Sequence, residues 1–217
     1  MLAAGLLERR SDAAGRETLR VTDAGVAVLA ATLQKNRAVR DAHETLVARV
    51  ARQMQIAGRI AWCGLSLRAR VADAEHPSGG RWQMAMPDVF SVRHTTVAAY
   101  LQSAVHEIKV RRSDLLADLR QANKRAAYLD IAGECWYVLA EGIAEADEVP
   151  AECGVLIARG PGFAALEVVR PAPVRAMPFE AGLPFAVWIA LARSAPVPVA
   201  DADAQRQLGE PADDPAA

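Results

Sequence analysis

The residues whose types and spacing could do chemistry together lie in one short, apolar-flanked segment. Ser103 to Val110 reads Ser-Ala-Val-His-Glu-Ile-Lys-Val, and strand alternation would put Glu107 and Lys109 on the same face. A carboxylate and an ammonium on a buried strand face are unfavourable unless they are paired or given a metal ion. Asp88, just before the apolar-flanked run Val89 to Val92, offers a second carboxylate. Two carboxylates around a lysine suit a hard divalent cation and an activated water beside a phosphorus atom.

These residues resemble a known family motif. Pro87-Asp88 followed by Glu107-Ile108-Lys109 is similar to the PD-(D/E)XK motif of the restriction-endonuclease-like nucleases. Over about residues 40–178 the chain also resembles the small DNA-repair-associated endonucleases of the MmcB kind within that superfamily. The residues that carry this wider resemblance are Arg112, Ser113, Asp114, Asp118, Lys124, Tyr128, Trp136, Tyr137, Val138 and Pro150 to Gly154.

The resemblance implies an α/β fold with a restriction-endonuclease-like core, in which a mixed β-sheet is flanked by helices in the order αβββαβ. It implies hydrolysis of DNA phosphodiesters by an endonuclease of DNA repair that depends on Mg²⁺ or Mn²⁺. Asp88 and Glu107 would hold the cation together with the carbonyl of Ile108. Lys109 would orient the attacking water or offset the charge that develops in the transition state.

Three further side chains are candidates for the same site, and each has a structural alternative. Lys124 and Tyr128 are one turn apart on a predicted helix, so they can point at one place, or they line a solvated edge. Glu44 on the first core helix is the candidate for an additional acid, or it is a first-turn glutamate favoured by the helix dipole. An isolated Glu-x-Lys pair is itself usually an ion pair on a wet sheet face. The apolar flanks of Glu107 favour a central strand instead.

Positive charge is concentrated just after the Glu107 strand, although the whole chain carries a net charge of −1. Such a chain has no global field that attracts nucleic acid, so DNA would have to bind through a local basic patch. Phosphate contacts from this patch would position a strand without reading its sequence. The alternative is a solvated helix face whose charge is offset by Asp114 and Asp118. The candidate DNA-binding residues are Arg111, Arg112, Arg120 and Arg125.

Periodicity and turn signals predict the elements that position these residues. A first core helix is predicted from His43 to Ile56, closed by Gly58, and a second core helix is predicted to be capped by Ser113. The apolar stripe of the second helix is predicted at Leu115, Leu119, Ala122, Ala126 and Leu129. Strands are predicted at Ile60 to Val71 with a bulge or close approach at Gly64, after Asp88, at Ser103 to Val110 and at Glu134 to Ala140. A hairpin at Gly154 to Ala158 and Ala165 to Val169 and a helix at Phe179 to Arg193 complete the predicted elements.

Residues 1–36 are predicted to form a separate segment. The runs Leu6 to Arg10 and Glu17 to Val21 predict a hairpin, and Thr22 would cap a helix from Asp23 to Leu33. A hairpin followed by a helix resembles the end of a winged-helix domain, but the helix that reads the major groove is missing. The segment is therefore interpreted as a remnant, a mis-assigned start or a dimerisation arm. It is equally well a hairpin and helix packed on the main domain.

Composition bounds the class of protein and its compartment. A chain of 217 residues with 52% hydrophobic and 24% charged residues is typical of one globular domain with a small appendage. The main domain is predicted at residues 40–193, and 196–217 are predicted to be a disordered acidic tail. Cys63, Cys135 and Cys153 are widely spaced without a CxxC pair, which favours buried thiols in a reducing compartment.

The predicted location is cytoplasmic, because no apolar run is long enough for a bilayer and the start lacks the features of a signal peptide. DNA is the expected partner, and a membrane is not. A homodimer or a repair-protein partner is left open. The alternative function is a catalytically inactive nuclease-fold module that binds DNA or regulates another protein.

Overall fold

The structure is a computed structural model that describes residues 5–11, 16–72, 80–178 and 182–199. Contacts divide the chain into two units, Met1–Thr45 and Leu46–Ala217. The elements in chain order are β1 (Leu7–Ser11), β2 (Glu17–Val21), α1 (Asp23–Ile56), β3 (Arg59–Cys63), β4 (Leu67–Val71), β5 (Arg81–Ala85), β6 (Val89–Arg93), β7 (Ser103–Lys109), α2 (Arg112–Leu119), α3 (Ala122–Ile131), β8 (Glu134–Ala140), β9 (Gly154–Arg159), β10 (Ala165–Arg170) and α4 (Phe185–Ala192).

The first unit contains a hairpin and the beginning of α1, as predicted. β1 and β2 pair antiparallel, with Leu7 opposite Val21. The hydroxyl of Thr22 accepts a hydrogen bond from the Gly25 amide at 3.1 Å and donates one to the Gly5 carbonyl at 2.7 Å. The predicted N-cap of α1 is therefore confirmed. Residues 12–15, which would form the hairpin turn, lie outside the described residues.

Helix α1 does not stop at Leu33, so the prediction of two separate helices is wrong. It runs without interruption from Asp23 to Ile56. The segment between the two predicted helices has no proline or glycine and contains the helix formers Gln34, Lys35 and Arg37, so nothing in it ends a helix. Gly58 follows the helix with φ +73°, and its amide donates to the Gln55 carbonyl at 2.9 Å, which confirms it as the closing residue.

The second unit is a mixed α/β structure built on a six-stranded sheet within the described residues, flanked by helices. Its strand order is β10-β9-β8-β7-β6-β3. β8 pairs parallel with both β7 and β9, whereas the other neighbours are antiparallel. Residues of α2, α3 and α4 pack on one face, and the second half of α1 packs on the other. β7 therefore lies between two strands of the sheet, with helices packed on both faces.

The predicted strand from Ile60 to Val71 is in fact two strands that belong to different sheets. Gly64 adopts φ +67° after β3, and this left-handed residue ends the strand rather than marking a bulge within it. β3 pairs with β6 in the main sheet, and β4 pairs with β5 in a separate two-stranded sheet. The amide of Arg70 in β4 donates to Asp130 in α3 at 2.7 Å.

The predicted second core helix is also divided, and Ser113 is not its cap. α2 begins at Arg112, and the preceding residue, Arg111, makes no side-chain cap. The chain turns after Leu119, where the Gln121 amide donates to the Asp118 carbonyl at 2.8 Å. Of the predicted stripe, Leu115 is buried, and Leu119, Ala126 and Leu129 pack partly buried against the core, whereas Ala122 is exposed. The fully buried residues of the two helices were not all predicted. They are Leu115 and Asp118 in α2 and Ala127, Tyr128 and Ile131 in α3.

The C-terminal elements follow the prediction more closely. β8 has the predicted bounds, and β9 and β10 form the predicted hairpin. α4 begins only at Phe185, and residues 179–181 lie outside the described residues. The predicted tail starts in contact with the fold, because the Val197 amide donates to the Ala61 carbonyl at 2.8 Å. Residues 200–217 are not among those described.

The cysteines correct one prediction, since Cys63 is exposed whereas Cys135 and Cys153 are buried thiols. Cys63 stands at the end of β3, next to the left-handed Gly64, where the chain leaves the sheet. Among residues 5–11, 16–72, 80–178 and 182–199, no helix combines the length and apolar character needed to cross a bilayer.

Candidate active site

The carboxylate of Glu107 is the centre of a buried cluster of charged and phenolic side chains. It extends from β7 towards α2 and α3, on the same strand face as Val105, as alternation predicts. One oxygen, Oε1, accepts from the ammonium of Lys109 at 2.5 Å and from that of Lys124 at 2.6 Å. The other oxygen, Oε2, accepts from the hydroxyl of Tyr128 at 2.6 Å. Four residues that the sequence separates by up to 21 positions therefore meet at one carboxylate.

A second carboxylate, Asp118 of α2, binds the same two ammonium groups. Lys124 donates a short hydrogen bond to Asp118 Oδ1, and the Lys109 ammonium lies 3.5 Å from this oxygen. The hydroxyl of Tyr137 donates to Asp118 Oδ2 at 2.7 Å. Each carboxylate thus has one tyrosine of its own and shares two lysines with the other.

Asp118 and Tyr137 were not predicted as site residues from the sequence. Tyr137 could have been found from the β7–β8 pairing, because it is the register partner of Glu107 in the parallel ladder. Asp118 has no such register partner, and its one signal was its place among the residues that carry the wider resemblance. In the sequence it is one of several acids on a helix that also carries arginines.

The cluster is shielded from solvent, and this decides its electrostatics. The side chains of Glu107 and Asp118 are 4% and 5% exposed, and that of Lys109 is 11% exposed. Lys124 is 25% exposed and forms the solvent edge of the cluster. Buried charges require partners. Two carboxylates and two ammonium groups supply them, and Asp88 adds one further negative charge.

Asp88 lies immediately before β6 and is tied to β7 beside Glu107. The last register pair of the antiparallel β6–β7 ladder is Val89 with His106. Beyond that pair, Asp88 Oδ2 accepts a hydrogen bond from the Ile108 amide at 2.7 Å, so the carboxylate continues the ladder where the backbone pairing ends. The Ile108 group in contact with Asp88 is therefore its N–H, whereas the predicted metal ligand was its carbonyl.

The three carboxylates act together on the nearby phenols. Burial raises the pKa of Tyr128 far above its usual value, and the charges of Glu107, Asp88 and Asp118 raise it further. Burial and the hydrogen bond to Asp118 likewise raise the pKa of Tyr137. Both phenols are therefore protonated at neutral pH and act as hydrogen-bond donors to their carboxylates.

The shared lysines keep Asp118 ionised. Burial alone would raise the pKa of the Asp118 carboxyl, but Lys124, Lys109 and Tyr137 outweigh it, so the pKa lies below its usual value. Burial would also lower the pKa of Lys124, but Glu107 and Asp118 raise it above the usual value. The pair is therefore charged on both sides across the neutral pH range.

Two of the four predicted DNA-binding arginines have acceptors within the protein. Arg112 donates to both carboxylate oxygens of Glu148, at 2.7 and 3.0 Å, and Arg125 donates to Glu152 at 2.9 Å. Arg120 is exposed and Arg111 is partly buried. The predicted additional acid, Glu44, is exposed on α1.

The oxygen donors of the cluster suit a hard divalent cation in their chemistry. Asp88, Glu107 and Asp118 supply carboxylates, which Mg²⁺ and Mn²⁺ prefer. Both oxygens of Glu107 already accept hydrogen bonds from lysine or tyrosine, so a cation would replace an ammonium group there. Within the described ranges, no group of three or more His, Cys, Asp and Glu side chains is arranged to hold a metal ion.

The opposite face of β7 takes no part in this cluster. His106 is 1% exposed and stacks on Trp136 of β8, with ring centroids 6.3 Å apart. Burial lowers its pKa to about 3, so the imidazole is neutral. His106 is therefore a core residue and not part of the charged cluster.

Comparisons with known proteins leave the family open. No family model and no curated protein matches the chain. A solved structure of a protein of unknown function from Silicibacter pomeroyi is similar, with 21% identity and a TM-score of 0.45, over 73% of this chain and 83% of that one. Function therefore has to be argued from the site.

Proposed function

We propose that this protein is a metal-dependent nuclease that hydrolyses DNA phosphodiesters. The observation that carries the proposal is the convergence of Glu107, Lys109 and Lys124 in a buried cluster beside Asp88. A carboxylate and a lysine from one central strand, with a second acid immediately before the neighbouring strand β6, match the motif that the sequence resembles. The element order α1, β3, β6, β7, α2 with α3, and β8 supports a restriction-endonuclease-like core of the αβββαβ kind.

In this proposal Asp88 and Glu107 hold Mg²⁺ or Mn²⁺. When bound, such a cation polarises a phosphate oxygen and lowers the pKa of a coordinated water. Lys109 places its ammonium where it can orient the water or offset negative charge on the phosphorane. Tyr128 fixes the orientation of Glu107 through the hydrogen bond to Oε2. Asp118 also binds Lys109 and Lys124, so it would hold Lys109 in place if a cation took over an oxygen of Glu107.

The test is a nuclease assay on the purified chain with single- and double-stranded DNA in the presence of Mg²⁺ or Mn²⁺. Glu107→Gln and Lys109→Met should each lower the rate by about 10²–10³, the usual effect of losing one preorganised electrostatic contact. Glu141→Gln is the matched control, because Glu141 is an exposed carboxylate paired with Arg159. Lys35→Met is the control for the lysine. Cleavage that survives both cluster substitutions would refute the proposal.

One observation favours the second candidate, a nuclease-fold module that binds DNA or regulates without turnover. All the oxygens of Glu107 and Asp118 already accept hydrogen bonds from side chains of the protein, so the cluster is complete without a cation. Calorimetric titration with Mn²⁺ separates the two functions. Binding that is lost in Asp88→Asn and Glu107→Gln supports the nuclease. Absence of binding, together with a salt-dependent DNA complex, supports the module.

A further inference from the structure

The first unit leaves most of its large apolar side chains in solvent. Among its described residues, Gly25 alone is buried. Val26, Leu29 and Leu33 of α1 are 55%, 54% and 69% exposed, and Leu19 of the hairpin is 60% exposed. Monomeric proteins rarely expose contiguous apolar patches larger than a few hundred Å², and larger patches mark interaction sites. This part of α1 therefore needs a partner.

The spacing of these residues identifies the kind of partner. Val26, Leu29 and Leu33 follow the three-four alternation of a coiled-coil seam, and Asn36 and Arg40 continue it. Thr22, four residues before Val26, fits the same pattern. The seam is therefore apolar in the middle, and it is polar at Thr22 on one end and at Asn36 and Arg40 on the other.

We propose that residues 22–40 pair antiparallel with the same segment of a second copy of this chain. In this register Leu29 faces Leu33 of the second copy, Val26 faces its Asn36, and Thr22 faces its Arg40. Because the pairing is two-fold symmetric, each contact occurs twice, which is the arrangement of an isologous dimer. The two leucine layers bury Leu29 and Leu33, which are 54% and 69% exposed.

Charge decides between antiparallel and parallel pairing. In the antiparallel arrangement Asp23 comes beside Arg37 and Arg40 of the second copy, so opposite charges meet at both ends of the seam. A parallel arrangement would place Arg40 opposite Arg40 within the seam. Like charges at such positions oppose association, and the helix dipoles also favour the antiparallel pair.

The size of the interface sets the expected affinity. A paired segment of 19 residues is about 28 Å long at 1.5 Å per residue. A helix pair of this length is at the low end of stable protein interfaces, so we expect a dissociation constant on the order of micromolar. The dimer should therefore be seen at tens of micromolar and should dissociate on dilution.

Sedimentation equilibrium of the full chain tests the proposal. The wild-type protein should sediment as twice its 23.2 kDa mass at the higher concentrations. Leu29→Asp with Leu33→Asp should weaken dimerisation by about a hundredfold or more, because the aspartates would be buried without partners. Ala31→Asp is the control, since it adds an aspartate to an exposed position on the opposite side of the helix, with one added charge against two in the test variant. It should leave the dimer intact.

Charge reversal tests the register. Asp23→Arg and Arg40→Asp should each weaken the dimer, and the double substitution should restore it. Far-ultraviolet circular dichroism should show unchanged helix content in every variant, because these side chains are exposed. A wild-type monomer at 50 µM, on the order of ten times the expected dissociation constant, would overturn the proposal. So would a dimer that survives both aspartates, an equal loss in Ala31→Asp, or failure of the double charge reversal.

Discussion

Replacing Lys124 by methionine removes one of the two ammonium groups that Glu107 and Asp118 share. Methionine keeps most of the length and the apolar stem of the lysine, so the change isolates the charge. The variant leaves two buried carboxylates, each held by a tyrosine, with Lys109 as their common cation. We expect a lower free energy of unfolding at neutral pH.

The magnitude follows from burial. Removing one partner of a buried ion pair costs about 3–5 kcal/mol. Lys124 is a quarter exposed, and Lys109 still contacts Glu107 at 2.5 Å and Asp118 at 3.5 Å. We therefore expect a loss of about 2–3 kcal/mol, at or below the lower end of that range.

The sign of the pH dependence follows from the shifted pKa values. In the wild type the pKa of Asp118 in the folded protein lies below its usual value. Ionised Asp118 therefore stabilises the fold at pH values above its pKa in the unfolded chain, and this stabilisation is lost as the pH falls through its pKa in the folded protein. Without Lys124 the main cause of that depression is gone while burial remains, so the pKa of Asp118 rises. Protonation of Asp118 then removes an unpaired buried charge from the variant. The loss in free energy of unfolding relative to the wild type should therefore shrink as the pH falls from 7 to 5.

Urea denaturation at pH 7 and pH 5 without divalent cations measures both effects. Lys35→Met is the matched control, since Lys35 is exposed on α1 and should change the free energy of unfolding by less than about 0.5 kcal/mol. A loss in free energy of unfolding of the same size at both pH values would show that lost packing rather than lost charge is responsible. A deficit no larger than that of the control would refute the electrostatic account of the cluster.

Three further substitutions test other contacts, each by urea denaturation. Tyr137→Phe should cost about 1.5–3 kcal/mol, because it removes the hydrogen bond to the ionised Asp118. Gly154→Ala should cost about 1–3 kcal/mol by overpacking, since a Cβ there would meet the ring of Trp136 and lie 2.6 Å from the Ala172 nitrogen. Arg170→Met should cost about 2–3 kcal/mol, because the guanidinium donates to four backbone carbonyls between positions 146 and 153.

The part of the site on β7 could be predicted because strands have a simple period. Two-residue alternation within apolar flanks puts Glu107 and Lys109 together on any strand placed in a core. The spacing of Lys124 and Tyr128 was equally robust, since both lie within α3 and are four residues apart on it. These predictions needed only local geometry.

Asp118 was predicted on a solvated face, although its spacing from Leu115 fits the buried side of α2. A single continuous helix fits an apolar stripe through Leu119 and Ala122, with Asp118 offsetting charge on a solvated face. Asp118 is buried three residues after Leu115 within α2, before the turn, and the turn after Leu119 affects only which residues of α3 are buried. No glycine or proline marks this turn, so the sequence contains no local signal for it.

The prediction that divided α1 into two helices was wrong because it placed a break where the helix is continuous. Residues 1–36 were predicted as a separate segment and His43 as the start of a new helix, although every residue from Gln34 to Arg40 can continue a helix. The structure keeps one helix of 34 residues. The contact boundary between Thr45 and Leu46 therefore falls inside a regular element, where composition gives no sign of it.

The energetics of the cluster indicate that folding alone does not require it. Replacing a buried ion network by apolar side chains of similar volume is often neutral or stabilising by about 1–4 kcal/mol. The neighbouring positions of β7 show that apolar packing is available, since Val105 and Ile108 are fully buried on its two faces. At Glu107 and Lys109 the chain instead places charges that need Asp118, Lys124 and two tyrosines to satisfy them. Ionisable groups with shifted pKa values, here Asp118, Lys124, Tyr128 and Tyr137, are concentrated at functional sites. The same cluster is therefore where both the stability assay and the nuclease assay should respond.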